Sequence, residues 1–184
     1  MAARLVRYAE LVEQWGGTHS LVRFRSREEF VERHLLESLA ARDLLGARGT
    51  LVDVGSGAGL PGVPLLAACD SWRGILIEPR AKRWAFLCHV IRELGLDASA
   101  HHCRYQALPL ELGPFDVVTM RALGGVAEVL EWARGRLTPQ GLLLLWTTED
   151  ELARLRIGSG WRVVSSPLPC LQRGRLARFR QCFT

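Results

Sequence analysis

The chain has 184 residues, 48% hydrophobic and 23% charged, with a formal net charge of +5. A chain of that size folds as one domain burying roughly 70% of its unfolded surface, so no disulfide framework or structural metal is required, and the composition excludes a disordered or collagen-like protein. Lys82 is the only lysine, so 23 of the 24 basic residues are arginine, and asparagine is absent. A GC-rich coding sequence explains that make-up; the charge permits an acidic partner without proving one.

The first residues, Met1 to Glu10, alternate charged with apolar side chains and hold no signal-peptide core. The longest purely aliphatic run, Leu142 to Leu145, is too short to cross a bilayer. Cys69, Cys88, Cys103, Cys170 and Cys182 are odd in number and widely spaced, with no C-x-x-C pair. That argues against a disulfide or zinc framework and for reduced thiols. A cytoplasmic protein without a metal centre or membrane contact is expected.

In chain order, Leu5, Tyr8, Leu11, Val12 and Trp15 recur at helical spacing and predict a helix over 3–15, stopped by Gly16-Gly17. Ser26-Arg27-Glu28-Glu29 has the capping-box form, opening a helix that carries Phe30, Val31, His34, Leu35, Ser38 and Leu39 to about Leu45. Both read as an N-terminal layer, within 1–48, packed on a single domain spanning 1–184. Strand-like runs follow at Leu51–Val54, Gly74–Ile77, Ala98–Cys103, Phe115–Thr119 and Leu142–Trp146. Helical segments separate them at Pro64–Cys69, Arg80–Leu94, Val126–Arg136 and Glu149–Arg156. This alternation predicts an α/β fold with a largely parallel sheet. Trp161–Ser165 and Leu176–Phe183 are joined only by a loop, so that last pair is expected to be antiparallel, a Rossmann-like layout.

The most informative segment is Asp53-Val54-Gly55-Ser56-Gly57-Ala58-Gly59-Leu60-Pro61-Gly62. A strand ends in glycines that let the backbone turn close to a ligand, and the amides of the following helix face it. Gly57 to Gly62 matches the dinucleotide G-x-G-x-x-G pattern. That register leaves Gly55 unexplained, however, and sets Asp53 at the strand end, facing the ligand. An aspartate there repels a pyrophosphate and suits S-adenosylmethionine (SAM), which has a sulfonium, an ammonium and no phosphate. The Asp-x-Gly-x-Gly-x-Gly spacing therefore favours SAM over NAD. Glu78, about 20 residues beyond the glycines, ends the second strand, where a carboxylate accepts from ribose hydroxyls of either cofactor.

With its flanks this segment resembles the RsmG family (also called glucose-inhibited division protein B), bacterial 16S rRNA guanine-N7 methyltransferases. The loop through Val63-Pro64-Leu65 is close to the family signature. Arg33-His34-Leu35-Leu36-Glu37-Ser38-Leu39 resembles its R-H-I-L-D-S-L helix, and Glu78 with Lys82, Arg83, Phe86 and Leu87 resembles the segment after its second strand. Phe115-Asp116 through Arg121-Ala122 resembles F-D-x-x-x-x-R-A, and Leu168-Pro169 with the tail from Arg175 fits the C-terminal hairpin. The resemblance implies a class I SAM-dependent methyltransferase fold, SAM as cofactor, and small-subunit rRNA as partner, with the protein a monomer. Asp53, Gly55, Ser56, Gly57, Gly59 and Leu60 are the candidate loop contacts, with Glu78 on the ribose. By carry-over Tyr105 and Gln106 flank the adenine and Arg121 is the active-site arginine. The chain departs from the family at Gly16, Ser20 and Val22, where it lacks two asparagines and a threonine. It also has Glu37 for aspartate, Gln106 for glutamate, and Trp146-Thr147-Thr148 in place of a lysine-glycine pair.

Guanine N7 has a free lone pair and no proton, so its methylation demands orientation rather than acid-base catalysis. No Ser-His-Asp, Cys-His or paired-carboxylate constellation is apparent. Arg121 could hold the base through O6, bind a phosphate, or form an ion pair with Asp116 or Glu128. His34 sits on an apolar helical face as a core histidine, and His101-His102 alternate across a strand without a third ligand. Arg23, Arg25, Arg27 and Arg33 form the preferred RNA patch. Arg80, Lys82 and Arg83, and the tail arginines 173, 175, 178 and 180, are further phosphate candidates or solvated faces. Rival readings are a SAM enzyme for another RNA or small molecule, a degenerate relative that binds RNA or ribosomes, and an NAD oxidoreductase.

Overall fold

The computed structural model describes residues 1–16, 21–121 and 124–182. Gly17, Ser20, Ala122 and Phe183, named above in the helix stop, two family motifs and the last strand, lie outside the described residues. Helix α1 (Ala2–Gly16) buries Tyr8, Leu11 and Val12, three of the residues whose spacing defines its apolar stripe. The second helical region opens where Ser26 Oγ accepts from the Glu29 amide at 3.2 Å. The reciprocal half of the capping box is displaced, because the Glu29 carboxylate accepts from the Arg25 amide at 2.6 Å instead of from Ser26.

That region is not one α-helix reaching Leu45. It runs as α2 (Arg27–Phe30), a π-helical stretch (Val31–Leu36) and α3 (Glu37–Leu39), followed by a separate 3-10 turn (Arg42–Leu44). Ser38 Oγ donates back to the His34 carbonyl at 2.6 Å. Such back-bonding competes with the regular ladder, and π-widening turns the following residues to a new azimuth. Here it delivers Glu37 and Ser38 to the interior, both of them buried.

From Gly49 strand and helix alternate. β1 (Gly49–Val54), β2 (Trp72–Ile77), β3 (Ala98–His101), β4 (Phe115–Arg121) and β5 (Leu137–Thr148) are joined in turn through α4 (Gly62–Ala68), α5 (Ala81–Leu94), two 3-10 turns (Tyr105–Ala107 and Leu110–Leu112) and α6 (Val126–Arg134). α7 (Glu149–Arg154), opened by a Thr148–Glu151 capping box, leads to β6 (Trp161–Pro167) and β7 (Gly174–Gln181). The sheet order is β3-β2-β1-β4-β5-β7-β6. The first five strands pair in parallel, and β7 inserts antiparallel between β5 and β6. This is the Rossmann-like layout. β5 begins five residues before its aliphatic run, the register with β4 shifting between Phe115 and Val117. β3 stops at His101, so His102 and Cys103 fall beyond it and the two histidines do not alternate across a strand.

Alternate residues of each strand feed two cores, as a sheet covered on both faces requires. One joins Leu51, Leu76, Val117, Leu144 and Trp146 to residues of α1, α2, α4 and α5. The other joins Val52, Ile75, Val118, Met120 and Leu145 to Val129, Leu130 and Ala133 of α6. The chain reverses direction of travel across β1, leaving a crevice at the carboxyl ends of β1 and β4.

Because the N-terminal helices share the first core, they should unfold with the sheet. Phe30 is fully buried, with ring neighbours Phe24 at 5.0 Å and Tyr8 at 6.0 Å. Phe30→Ala is expected to remove about 3–5 kcal/mol of stability in a single urea transition. An earlier transition confined to helical signal would contradict the shared core.

Candidate functional site

At the crevice β1 runs into the glycine loop. Gly55, Gly57 and Gly59 all have positive φ, and a Cβ on Gly59 (φ 94°) would lie 2.5 Å from Val63 Cγ2. A side chain there meets both backbone strain and a clash, so that glycine is needed to start α4. The loop is pinned from below. The Ser56 amide donates to the Ile77 carbonyl at 2.9 Å and its hydroxyl to the Asp53 carbonyl at 3.0 Å. Tyr8 of α1, fully buried, donates its hydroxyl to the Ala58 carbonyl at 2.7 Å. Leu60 is buried beside the loop's cis proline, Pro61.

Asp53 does not face the ligand space. Its side chain is 1% exposed, with Oδ1 accepting from the Thr119 hydroxyl at 2.7 Å and Oδ2 facing the Gly62 amide at 3.4 Å. The alternation of side chains along β1 turns it into the interior, where it ties β1 to β4 and to the start of α4. Burial pushes its pKa up to about 6, against the pull of the Thr119, Ser56 and Gly62 donors. The carboxylate thus puts negative charge beneath the loop rather than on the ligand side.

Glu78, 3% exposed, is placed as the sequence suggests, at the end of β2 against the loop. Its Oε2 accepts from the Gly57 amide at 2.9 Å and its Oε1 from the Arg80 amide at 2.8 Å. An ionised carboxylate has about four acceptor sites, so each oxygen keeps one for a hydroxyl. A pocket of about 210 Å³ adjoins it, lined by Val54, Gly55, Ile77, Tyr105, Gln106 and Gly124 among others. Tyr105 is held edge-on by Trp132 at 5.5 Å, and Gln106 is exposed on the same short 3-10 turn. An apolar slot, an amide and a carboxylate with spare acceptor sites fit an adenosine: a flat base between apolar walls, its amino group on the amide, its ribose on Glu78.

Arg121, at the end of β4, is 18% exposed at its side chain and forms an ion pair with Glu37 of α3 at 2.6 Å. The same nitrogen donates to the Arg33 carbonyl at 2.9 Å and lies 3.3 Å from His34 Nδ1. Neither acid considered from sequence is the partner; Asp116 instead accepts from the Thr50 amide and the Thr138 hydroxyl. Burial raises the Glu37 pKa and lowers that of Arg121, which as a guanidinium stays charged. Burial, then the Arg121 charge, lowers His34 to about 4, so its imidazole is neutral at neutral pH. The Trp146 indole donates to the Glu37 carbonyl at 2.7 Å, so this departure from the family motif closes the cluster. One terminal nitrogen of Arg121 and Glu37 Oε1 have no partner among the described residues.

The proposed RNA patch divides. Arg27 pairs with Glu13 (Nε–Oε1 2.8 Å) and Arg33 with Glu29 at 3.0 Å. Arg23 and Arg25 are exposed, without a carboxylate partner among the described residues. Sequence reasoning missed Tyr8, Thr119 and Glu37 as supports of the site. Their only signal was a polar group inside an otherwise apolar stretch.

A family model described as GidB, rRNA small subunit methyltransferase G, matches residues 1–159. A ribosomal RNA small subunit methyltransferase G from Stenotrophomonas maltophilia is 38% identical over 167 residues, 89% of this chain and 77% of that protein. One from Wolinella succinogenes is 35% identical over 164 residues, 89% and 83% of the two chains. Among solved structures, a methyltransferase from Geobacter sulfurreducens is similar with a TM-score of 0.60 and 18% identity, over 95% of this chain and 90% of that one. A tRNA (m1A58) methyltransferase from Aquifex aeolicus reaches 0.65 with 12% identity, over 80% and 68%. These likenesses support the fold.

The buried Asp53 makes a testable demand on stability. Between about 3.9, its unfolded value, and about 6, the native state holds the proton more tightly, so this group's contribution falls as pH rises. Asp53→Asn keeps an acceptor for Thr119 and removes the ionisation. Its stability relative to the parent should rise by about 2 kcal/mol from pH ~4 to pH ~7 in urea melts. A difference independent of pH would contradict the assignment.

Proposed function

The chain belongs to the ribosomal RNA small subunit methyltransferase G family, and on that premise we propose that it methylates N7 of a guanine in 16S rRNA, with SAM as methyl donor. The observation that carries the reading is the convergence of three features at one sheet edge. These are the pinned glycine loop, the slot formed by Val54, Ile77, Tyr105 and Gln106 beside Glu78, and a guanidinium at the end of the adjoining strand. Gly55, Ser56, Gly57, Gly59 and Leu60 shape the cofactor wall, Asp53 braces it, Glu78 holds the ribose, and Tyr105 and Gln106 flank the adenine.

Bound SAM supplies an electrophilic methyl group on a positively charged sulfonium. The chain's own residues have little proton chemistry to perform, because N7 is unprotonated and its lone pair is the nucleophile. Their task is to hold that lone pair in line and exclude water. Arg121, partly exposed at the end of β4, serves the acceptor base, and Glu37 fixes the guanidinium from behind. The neutral His34 stands beside it without competing for the base as a cation. Arg23 and Arg25 guide the RNA backbone. Among the described residues no helix is long and apolar enough to cross a membrane. We place the protein in the bacterial cytoplasm, acting as a monomer on the small subunit or its precursor.

Calorimetry with SAM and with NAD tests the cofactor: tight binding of SAM and none of NAD is expected, and the reverse overturns the reading. Glu78→Ala should weaken SAM by about tenfold or more, the loss of charge-assisted hydrogen bonds. Arg121→Lys retains the charge beside Glu37 but loses the planar fork. It should leave SAM affinity within about twofold and lower kcat for methyl transfer by roughly 10²-fold. An equal loss of SAM binding would move Arg121 from the acceptor side to the cofactor. Arg23→Ala with Arg25→Ala should weaken rRNA binding and flatten its salt dependence by about 1.5 in log-log slope.

A further inference from the structure

Far from the glycine loop, β6 and β7 set three arginines side by side. Arg162 stands directly opposite Arg180 in the antiparallel register, and Arg178, opposite Val164, lies on the same face. Directly opposed side chains are about 5 Å apart at Cβ, and like charges in that relation destabilise a sheet. The neighbouring arginines of the tail are neutralised, Arg173 by Asp150 and Arg175 by Glu149. Among the described residues Arg162, Arg178 and Arg180 have no carboxylate partner, and Arg178 Nε is buried without any hydrogen-bond acceptor.

The three line a pocket of about 400 Å³ together with Leu44, Leu142 and Val164, and with a single acid, Asp43. Leu44 and Leu142 pack against the core shared with the N-terminal helices, so the pocket opens on the sheet face that this layer covers. Leu142 precedes Trp146 by four residues on β5, which sets the pocket about 13 Å back from the edge where Arg121 lies. A strand of RNA leaving that edge across this face reaches it within a few nucleotides. Guanidinium forks match phosphate oxygens in pairs, and the apolar floor suits sugar and base surface.

We propose that Arg162, Arg178 and Arg180 form a phosphate-binding station that grips the rRNA backbone away from the methyl-transfer site. The proposal rests on rRNA being the substrate. It explains why a sheet would tolerate an uncompensated cross-strand arginine pair: the counter-charge arrives with the RNA.

The test is filter binding of the full chain and of an Arg162→Gln, Arg178→Gln, Arg180→Gln variant to protein-free 16S rRNA, from about 50 to about 200 mM salt. The variant should show a log-log salt slope shallower by about 2 to 3, and affinity at least about tenfold lower at the lower salt. Its SAM affinity should match the parent's, and its melting temperature at low salt should be equal or higher, since repulsion has been removed. A parent-like slope would overturn the proposal. So would a lower melting temperature, because it would mean the arginines have partners within the fold. Parent-like binding to free rRNA with lost binding to whole small subunits would assign the patch to an acidic ribosomal protein, and would also overturn it. If the parent chain binds neither free rRNA nor small subunits, the functional reading fails and takes this proposal with it.

Discussion

Two buried carboxylates hold the glycine loop in shape, and the rest of the site depends on that loop. Asp53 ties it to Thr119 and the start of α4, while Glu78 accepts the Gly57 amide from the next strand. A backbone with three positive-φ glycines has few means of fixing its own conformation. Polar groups anchored in strands supply that constraint, and they place two acidic side chains below a surface that receives a cationic cofactor. The same arrangement costs stability at neutral pH through Asp53, a burden placed where ligand binding gains from order.

A second constraint joins the N-terminal helices to the end of β4. The Arg121–Glu37 pair is largely out of solvent, and removing one member of such a pair leaves an unpaired buried charge. Its value is therefore positional: it fixes a guanidinium fork at the end of β4, while Trp146 fixes the backbone that carries Glu37. The π-widened turn before α3 makes this geometry possible by rotating Glu37 inward. The N-terminal layer thus both covers one core and holds the guanidinium at the end of β4.

Much of this was readable from residue order. The alternation of apolar runs with helical spacing located every strand, because burial on both sheet faces imposes long aliphatic segments such as Leu142–Leu145. The loop and Glu78 were legible because glycine spacing and a strand-end carboxylate are local signals. Three features were not. Asp53 was expected on the ligand side, but a side chain's direction at a strand end depends on which neighbouring strand offers a donor, here Thr119 from 66 residues away. The partner of Arg121 lies 84 residues upstream, where no local rule points. The helix from Ser26 was read as regular because its apolar stripe is continuous, and a serine bonding back to the His34 carbonyl leaves no mark in periodicity.

The central claim is that this pocket delivers a methyl group to a guanine of small-subunit rRNA. The most direct measurement is to incubate the protein with isotopically labelled SAM and small subunits from cells lacking the corresponding gene, then map the label by mass spectrometry of rRNA digests. The account predicts stoichiometric label in one guanine, released as 7-methylguanine. Label on another base, on another guanine atom or on protein, or none despite SAM binding, would contradict it.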